Sequence, residues 1–189
     1  MIKLTPIAFF TLLFVNVAFS LDYDGVSEHC LTDRDRGEVC SNGTKPEIMY
    51  HFDKFTKRCL PFKFNGCGGN DNRFKTDNKC YFSCLPADYE SCAFSTDPLK
   101  NEKGEDVLCG PAEGLSVRTQ ECPTDYECVM FYPVGRCCQK KSEELLRESF
   151  NTKCPKGEST LLGKSCDDDF CPSDQTCHQG DIFAHCCPK

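Results

Sequence analysis

The segment Phe62-Lys63-Phe64-Asn65-Gly66-Cys67-Gly68-Gly69-Asn70-Asp71-Asn72-Arg73-Phe74-Lys75-Thr76 carries more structural information than any other part of the chain. Gly66, Gly68 and Gly69 crowd around a cysteine, and glycine reaches backbone conformations closed to other residues. That freedom is what a chain needs where it bends sharply beside a bridge. Asn70 and Asn72 carry amides that can satisfy backbone groups in a loop too stapled to pair them regularly. Upstream, residues 50–53 and 60–65 read as two aromatic-rich strands joined by a turn over 54–57. Downstream, Thr76 can cap a short helix with Asp77 in its first turn. Cys80 and Cys84 lie four positions apart, so they share one helix face, and that face can be stapled to the hairpin and to the chain before it.

The cysteines extend this reading to the whole chain. There are 18 among 189 residues, an even number and a density typical of disulfide scaffolds. With 22 Lys and Arg against 29 Asp and Glu, the net charge is −7. An acidic balance does not suit a phosphate backbone, so no nucleic-acid partner is expected. A cytosolic enzyme would not keep so many thiols. Residues 1–20 open with Met1-Ile2-Lys3, continue with a mostly apolar run over 4–17, and end on Ala18-Phe19-Ser20. This is the grammar of a secretory signal cut after Ser20. The run is too short for a ~20-residue membrane span and no basic stop-transfer flank follows it. No later segment is apolar enough to span a bilayer, so the expected product is secreted, extracellular and free of the membrane.

The cysteines fall into three groups of six: 30, 40, 59, 67, 80 and 84; 92, 109, 122, 128, 137 and 138; 154, 166, 171, 177, 186 and 187. The second and third groups repeat each other. Cys122-Pro-Thr-Asp-Tyr-Glu-Cys128 and Cys171-Pro-Ser-Asp-Gln-Thr-Cys177 are each followed by eight residues and a Cys-Cys pair. Vicinal cysteines bridge each other only with strain, so each should reach a different partner. The expected organisation is a signal peptide at 1–20, a first module at 30–84, cysteine-rich repeats at 92–138 and 154–187, and a linker at 139–153. In the linker, Ser142-Glu143-Glu144-Leu145-Leu146-Arg147-Glu148 starts like a helix capped by Ser142, with a solvated course as the alternative. Lys140-Lys141 is a dibasic pair of the kind cut in processing, or simply part of that charged stretch.

From residue 30 to 84 the chain resembles the Kunitz (pancreatic trypsin inhibitor-like) domain. Besides the opening segment, seven residues separate Cys59 from Cys67, twelve separate Cys67 from Cys80 and three separate Cys80 from Cys84, as in that family. The resemblance implies an α+β fold, a twisted β-hairpin with a C-terminal helix. It also implies pairing of Cys30 with Cys84, Cys40 with Cys67 and Cys59 with Cys80, where spacing alone leaves the connectivity open. It further implies a serine protease as partner. The residue after the second cysteine, here Ser41, would enter the protease's specificity pocket, with Asn42 and Gly43 beside it.

This loop departs from the family pattern. Nine residues separate Cys30 from Cys40, one more than usual, and Gly37 is displaced by one place; nine separate Cys40 from Tyr50, three more than usual. Ser41 is small and uncharged, so it offers nothing to a trypsin-like acidic pocket. Asn42-Gly43-Thr44 is a glycosylation sequon, and a glycan at Asn42 would stand where a protease must approach. A longer loop is also less preorganised. The expectation is therefore a weak, elastase-type inhibitor or a modulator of serine proteases.

The two repeats resemble the lustrin-type cysteine-rich repeats of secreted nematode and molluscan matrix proteins, and a Kunitz domain joined to them is similar to secreted nematode Kunitz proteins. The whey acidic protein module, the runner-up, needs eight cysteines and one beyond the Cys-Cys pair. The alternative function is thus a non-inhibitory extracellular matrix or cuticle protein using the Kunitz scaffold for structural contacts. No enzymatic motif is present: there is no Gly-x-Ser-x-Gly, His-Glu-x-x-His or phosphate-binding glycine loop. No cofactor or metal is expected. His178 and His185 lie near cysteines, but disulfides are the better account of those sulfurs in an oxidising compartment. Asp167-Asp168-Asp169 lacks the alternation of a calcium loop and reads as a solvated acidic turn. Arg34, Arg36 and the lysines are too scattered for a heparin site.

Overall fold

The computed structural model describes residues 25–86, 89, 91–131, 133–151 and 153–189. The expected signal segment, 1–20, lies outside them. The first module comprises strands β1 (Glu38–Val39), β2 (Glu47–Asp53), β3 (Arg58–Phe64) and β4 (Gly66–Cys67), then helix α1 (Asp77–Cys84). β2 and β3 form an antiparallel hairpin in register from Glu47↔Phe64 to Asp53↔Arg58. Each strand is longer than its aromatic stretch, because pairing continues as long as both backbones stay extended. The Thr76 hydroxyl accepts a hydrogen bond from Lys79 N at 3.2 Å and starts α1, which ends at Cys84 two residues before Pro86.

Cys30–Cys84 and Cys59–Cys80 staple α1 to the entering chain and to β3, and Cys40–Cys67 ties β1 to β4. Phe52 is sealed among Cys30, Cys59, Cys80 and Cys84, with Tyr50, Phe74 and Tyr81 packed around them. Closing the 54-residue separation between Cys30 and Cys84 removes chain entropy worth ~4 kcal/mol. Fully buried Asn72 supplies what regular pairing does not. Its Oδ1 accepts from Phe52 N at 2.8 Å, and its Nδ2 donates to the carbonyls of Cys30, Thr32 and Phe52.

The second module holds β5 (Leu108–Cys109), β6 (Tyr126–Met130) and β7 (Gly135–Gln139), in the order β5-β7-β6. Helix α2 (Lys140–Phe150) follows without a break. The third module holds β8 (Leu161–Gly163), β9 (Gln175–Gln179) and β10 (Ala184–Pro188), in the equivalent order β8-β10-β9. The repeat is structural as well as sequential. Cys128 faces Cys137 across β6 and β7, and Cys177 faces Cys186 across β9 and β10. Each Cys-Pro-Ser/Thr-Asp becomes a turn into the hairpin, closed by Tyr126 N to Pro123 O and by Gln175 N to Pro172 O.

The bridges are Cys92–Cys138, Cys109–Cys128 and Cys122–Cys137 in the second module, and Cys154–Cys187, Cys166–Cys177 and Cys171–Cys186 in the third. Successive residues of a strand point to opposite faces, which is why the members of each Cys-Cys pair reach different partners. In all three modules the first cysteine pairs with the sixth, the second with the fourth and the third with the fifth; none is free.

Most of the expected linker, Lys140–Phe150, forms a helix. α2 begins at Lys140, with Gln139 at its N-cap and no side-chain cap, rather than at Ser142. The helix starts early because β7 delivers the chain directly into it and tertiary contacts hold its first turns. Buried Glu143 accepts a hydrogen bond from Ala93 N at 2.7 Å, and Arg147 clasps the Glu127 carboxylate at 2.5 and 3.2 Å. At its far end Phe150 stacks on Phe183, 5.2 Å between centroids, while the Arg58 guanidinium of the first module lies 4.4 Å from the Phe150 ring. Among the described residues no helix is long and apolar enough to cross a membrane.

The modules pack together. Phe55, in the β2–β3 turn, stacks on Phe94 of the second module and takes the Lys164 ammonium of the third on its ring. β3 lies against β8 and against the short 3₁₀ turn Cys166–Asp168. The acidic run is therefore solvated only in part: Asp167 and Asp169 are exposed, as its composition suggests, but Asp168 is not. Asp168 is 1% exposed, pairs with Arg34 and accepts from Ser165 N in a capping box, while Asp169 pairs with Lys63. Positive side chains of the first module, scattered in sequence, converge on it and make burial of the carboxylate affordable.

Asn72→Ala strands one backbone N–H and the carbonyls of Cys30 and Phe52 in the interior, and a part-buried third at Thr32. At ~1–3 kcal/mol for a buried group left unsatisfied, it is expected to lower the stability of the oxidised protein by about 3 kcal/mol or more, read as a drop in the urea midpoint at unchanged m-value.

Candidate functional site

The most exposed ordered loop of the first module runs from Gly37 to Pro46, and its base is rigidly built. Gly37 has φ +64°, and a Cβ there would collide with the Cys67 carbonyl and the Phe64 ring, so only glycine lets the chain cross so closely. Asn65 donates its backbone N–H to Arg36 O at 2.8 Å and its side-chain amide to Gly37 O at 3.0 Å. Glu38 and Val39 then pair with Cys67 and Gly66, and the Cys40–Cys67 bridge closes the base.

Beyond Cys40 the chain turns outward. Ser41, Asn42 and Gly43 are all exposed, as is every residue through Ile48. Gly43 N points back to Cys40 O at 3.4 Å. The Asn42 side-chain oxygen accepts from Thr44 N at 3.1 Å and from the Thr44 hydroxyl at 2.8 Å, a local turn on an exposed residue. Val39, beside the bridge, is 76% exposed. The result is a small polar tip between exposed flanks, over a base fixed by a disulfide and a short strand pair.

The structure brings Ser41, Asn42 and Gly43 together at this tip. It places Cys40 and Cys67 beneath them, and Cys30, Cys84, Cys59 and Cys80 at the other end of the module. The histidines lie elsewhere. His185 is buried, with Nε2 donating to Ser149 O and Nδ1 facing the Ser159 hydroxyl, each at 3.1 Å. Where side chains approach as metal ligands would, as in His29, Cys30 and Cys84 or in Cys92, Cys138 and Glu143, the sulfurs are bridged and have no thiolate to offer.

A second feature had no signal in the sequence. A cavity of about 200 Å³ between the first and third modules is lined by Asp33, Arg34, His51, Asp53, Lys164, Ser165 and Asp168. His51 is 4% exposed, packs edge-on against Phe62, and has no hydrogen-bond partner for either ring nitrogen among the described residues. Its position in β2 marks it only as an inward residue; half of the remaining polar lining, Lys164, Ser165 and Asp168, comes from residues more than a hundred positions away.

Residues 29–85 match the Kunitz/Bovine pancreatic trypsin inhibitor domain. Over 177 residues the chain is 36% identical to the major allergen Ani s 1 of Anisakis simplex, covering 87% of this chain and 89% of that one. It is 34% identical over 168 residues to a BPTI/Kunitz inhibitor domain-containing protein of Caenorhabditis elegans, covering 84% and 88%. Among solved structures it matches calcicludine at 33% identity and a TM-score of 0.29, over 32% of this chain and 93% of that one. The chain belongs to the Kunitz inhibitor-domain proteins. The first two alignments run far beyond residue 85, so those relatives share its C-terminal part as well.

Burial lowers the His51 pKa from 6.5 to about 4, against the opposing pull of Asp53. A histidine depressed in the folded state stabilises fully above its unfolded pKa and loses that contribution as pH falls toward the folded value. Between pH 7 and pH 4 the protein is expected to lose about 3 kcal/mol relative to His51→Phe, read from urea midpoints across that range. Parallel pH profiles for the two proteins would contradict a histidine buried in its neutral form.

Proposed function

We propose that the protein is a secreted Kunitz-type regulator of serine proteases whose atypical loop makes it a weak inhibitor or modulator, not a tight trypsin inhibitor. The observation that carries this reading is the exposed Ser41-Asn42-Gly43 tip over the Cys40–Cys67 base. A frozen loop loses little entropy on docking, and here the base is frozen while the tip is longer and held only by local hydrogen bonds. Ser41 is the residue offered to the specificity pocket. Its small uncharged side chain fits a shallow, elastase-like pocket and gives no partner to an acidic one. Asn42 and Gly43 complete the contact, and a glycan on Asn42 is the device that limits access.

The rest of the reading follows the same chemistry. Residues 1–20 are a signal peptide, the bridged cysteines suit an extracellular compartment, and the protein acts by binding, not as an enzyme. The modules at 92–138 and 154–187 are lustrin-type repeats. A purely structural role in extracellular matrix or cuticle is the second reading; the sequon on the docking tip favours it, because a glycosylated tip is poorly suited to any protease.

The test is titration of the oxidised protein, with Asn42 glycosylated and as Asn42→Gln, against trypsin, chymotrypsin and elastase. Inhibition of elastase at micromolar protein, stronger by about tenfold or more in Asn42→Gln, is expected. Ser41→Arg in the Asn42→Gln background should move the preference to trypsin. Unchanged activity of all three proteases with every form would sink the inhibitor reading and leave the structural one.

A further inference from the structure

The exposed loop is held from outside its own module. Residues 41–46 make only local hydrogen bonds among those described, so their geometry is set by the stem that enters them, residues 33–37, and by Cys40–Cys67. The first module grips that stem on one side through Asn70 Nδ2 to Asp33 O and Asn65 to Arg36 O and Gly37 O. The third module grips it on the other. Arg34 pairs with Asp168, which is 1% exposed, and Arg36 donates to Asp167 O at 2.6 Å while its Nε donates to Lys63 O at 3.1 Å. Asp169 closes the contact with Lys63 at 2.5 Å.

The acidic side of this contact is itself fixed. The Asp168 carboxylate is locked by the capping box with Ser165, and Asp169 sits in the left-handed region at φ 51°, which points its side chain back at the first module. Phe170, fully buried in the third module's core, anchors the turn from behind. A rigid acidic knob thus meets the two arginines of the stem, three and five positions after Leu31 and just ahead of the docking strand.

We infer that the third module is a buttress for the docking loop, with Arg34, Arg36 and Asp168 as positioning residues that hold the stem and thereby order the tip. This rests on reading residues 41–43 as the contact surface. It accounts for how a stem one residue longer than the family's usual can still present a defined loop. Preorganisation is recovered at the stem by an element more than 120 positions downstream, while the tip itself keeps only its local hydrogen bonds.

The test uses the full oxidised chain as wild type, Arg34→Met, Asp168→Asn and the double variant. Amide hydrogen exchange is followed without any protease. Each single variant is expected to speed exchange over residues 38–44 and 65–67 by about tenfold, while the hairpin amides of Phe52 and Leu60 stay protected. The double variant should be no worse than the worse single, since both remove one pair. Arg34→Met leaves the third module's own residues untouched, so it remains decisive if Asp168→Asn disturbs that module. Weaker inhibition with unaltered preference among proteases should accompany the faster exchange. Unchanged exchange over 38–44 in all variants, with faster exchange confined to 165–170, overturns the buttress. Loop exchange that responds when no form inhibits any protease supports it and counts only against the protease reading.

Discussion

In each module a bridge between the first and sixth cysteine closes the chain, and inside it the second pairs with the fourth and the third with the fifth. This nesting is the constraint on which the rest of the structure depends. Segments of this size bury too little apolar surface to stay folded alone, and their cores are correspondingly thin. Val107, Cys109 and Cys137 form the cluster in the second module, and Phe170, Ala184 and Cys186 the one in the third. With the unfolded chain already cross-linked, little further stabilisation is needed, and large side chains are released from core duty. Phe55, Phe94 and Phe150 use that freedom to face other modules.

The consequence is packing between units that a disulfide count alone would treat as beads on a string. α2 touches all three modules. Glu143 holds the second module's entry, Phe150 lies between the first module's Arg58 and the third module's Phe183, and Ser149 O receives His185. Exposed ion pairs contribute little in general, and most of those at this interface are partly exposed. Asp168 is different: its burial is tolerable only while Arg34 is present. Orientation of the third module is thus coupled to the stem of the docking loop.

The proposed contact surface lies where the chain leaves a rigid part of the scaffold. Cys40–Cys67, the β1–β4 pair and Gly37 fix the base. The tip that grows from it is small, polar and exposed, and carries a sequon. A chain in which base and tip are tuned separately can keep the Kunitz scaffold while changing what the loop does, and here the departures from the family pattern are confined to the tip and stem.

Much of this was legible in the residues. The glycines around Cys67, the asparagines at 70 and 72, the Thr76 cap and the repeated Cys-Pro-Ser/Thr-Asp all act through neighbours a few positions away, where spacing is informative. The place of Ser41, Asn42 and Gly43 on an exposed loop came from the resemblance to the Kunitz domain, through the cysteine before them. What could not be read were encounters between distant charges: Arg34 with Asp168, Lys63 with Asp169, and the surroundings of His51. A run of three aspartates looks solvated, and a pair of arginines looks scattered, until folding supplies the partner. The cysteine pattern by itself determined three stapled modules, and the resemblance to the Kunitz domain added the exposed loop, because covalent spacing and local motifs suffice for that. Only the tertiary structure decided that the modules lock together and that the acidic turn grips the stem of the loop, because the free energy of a buried charge depends on what lies opposite it in space.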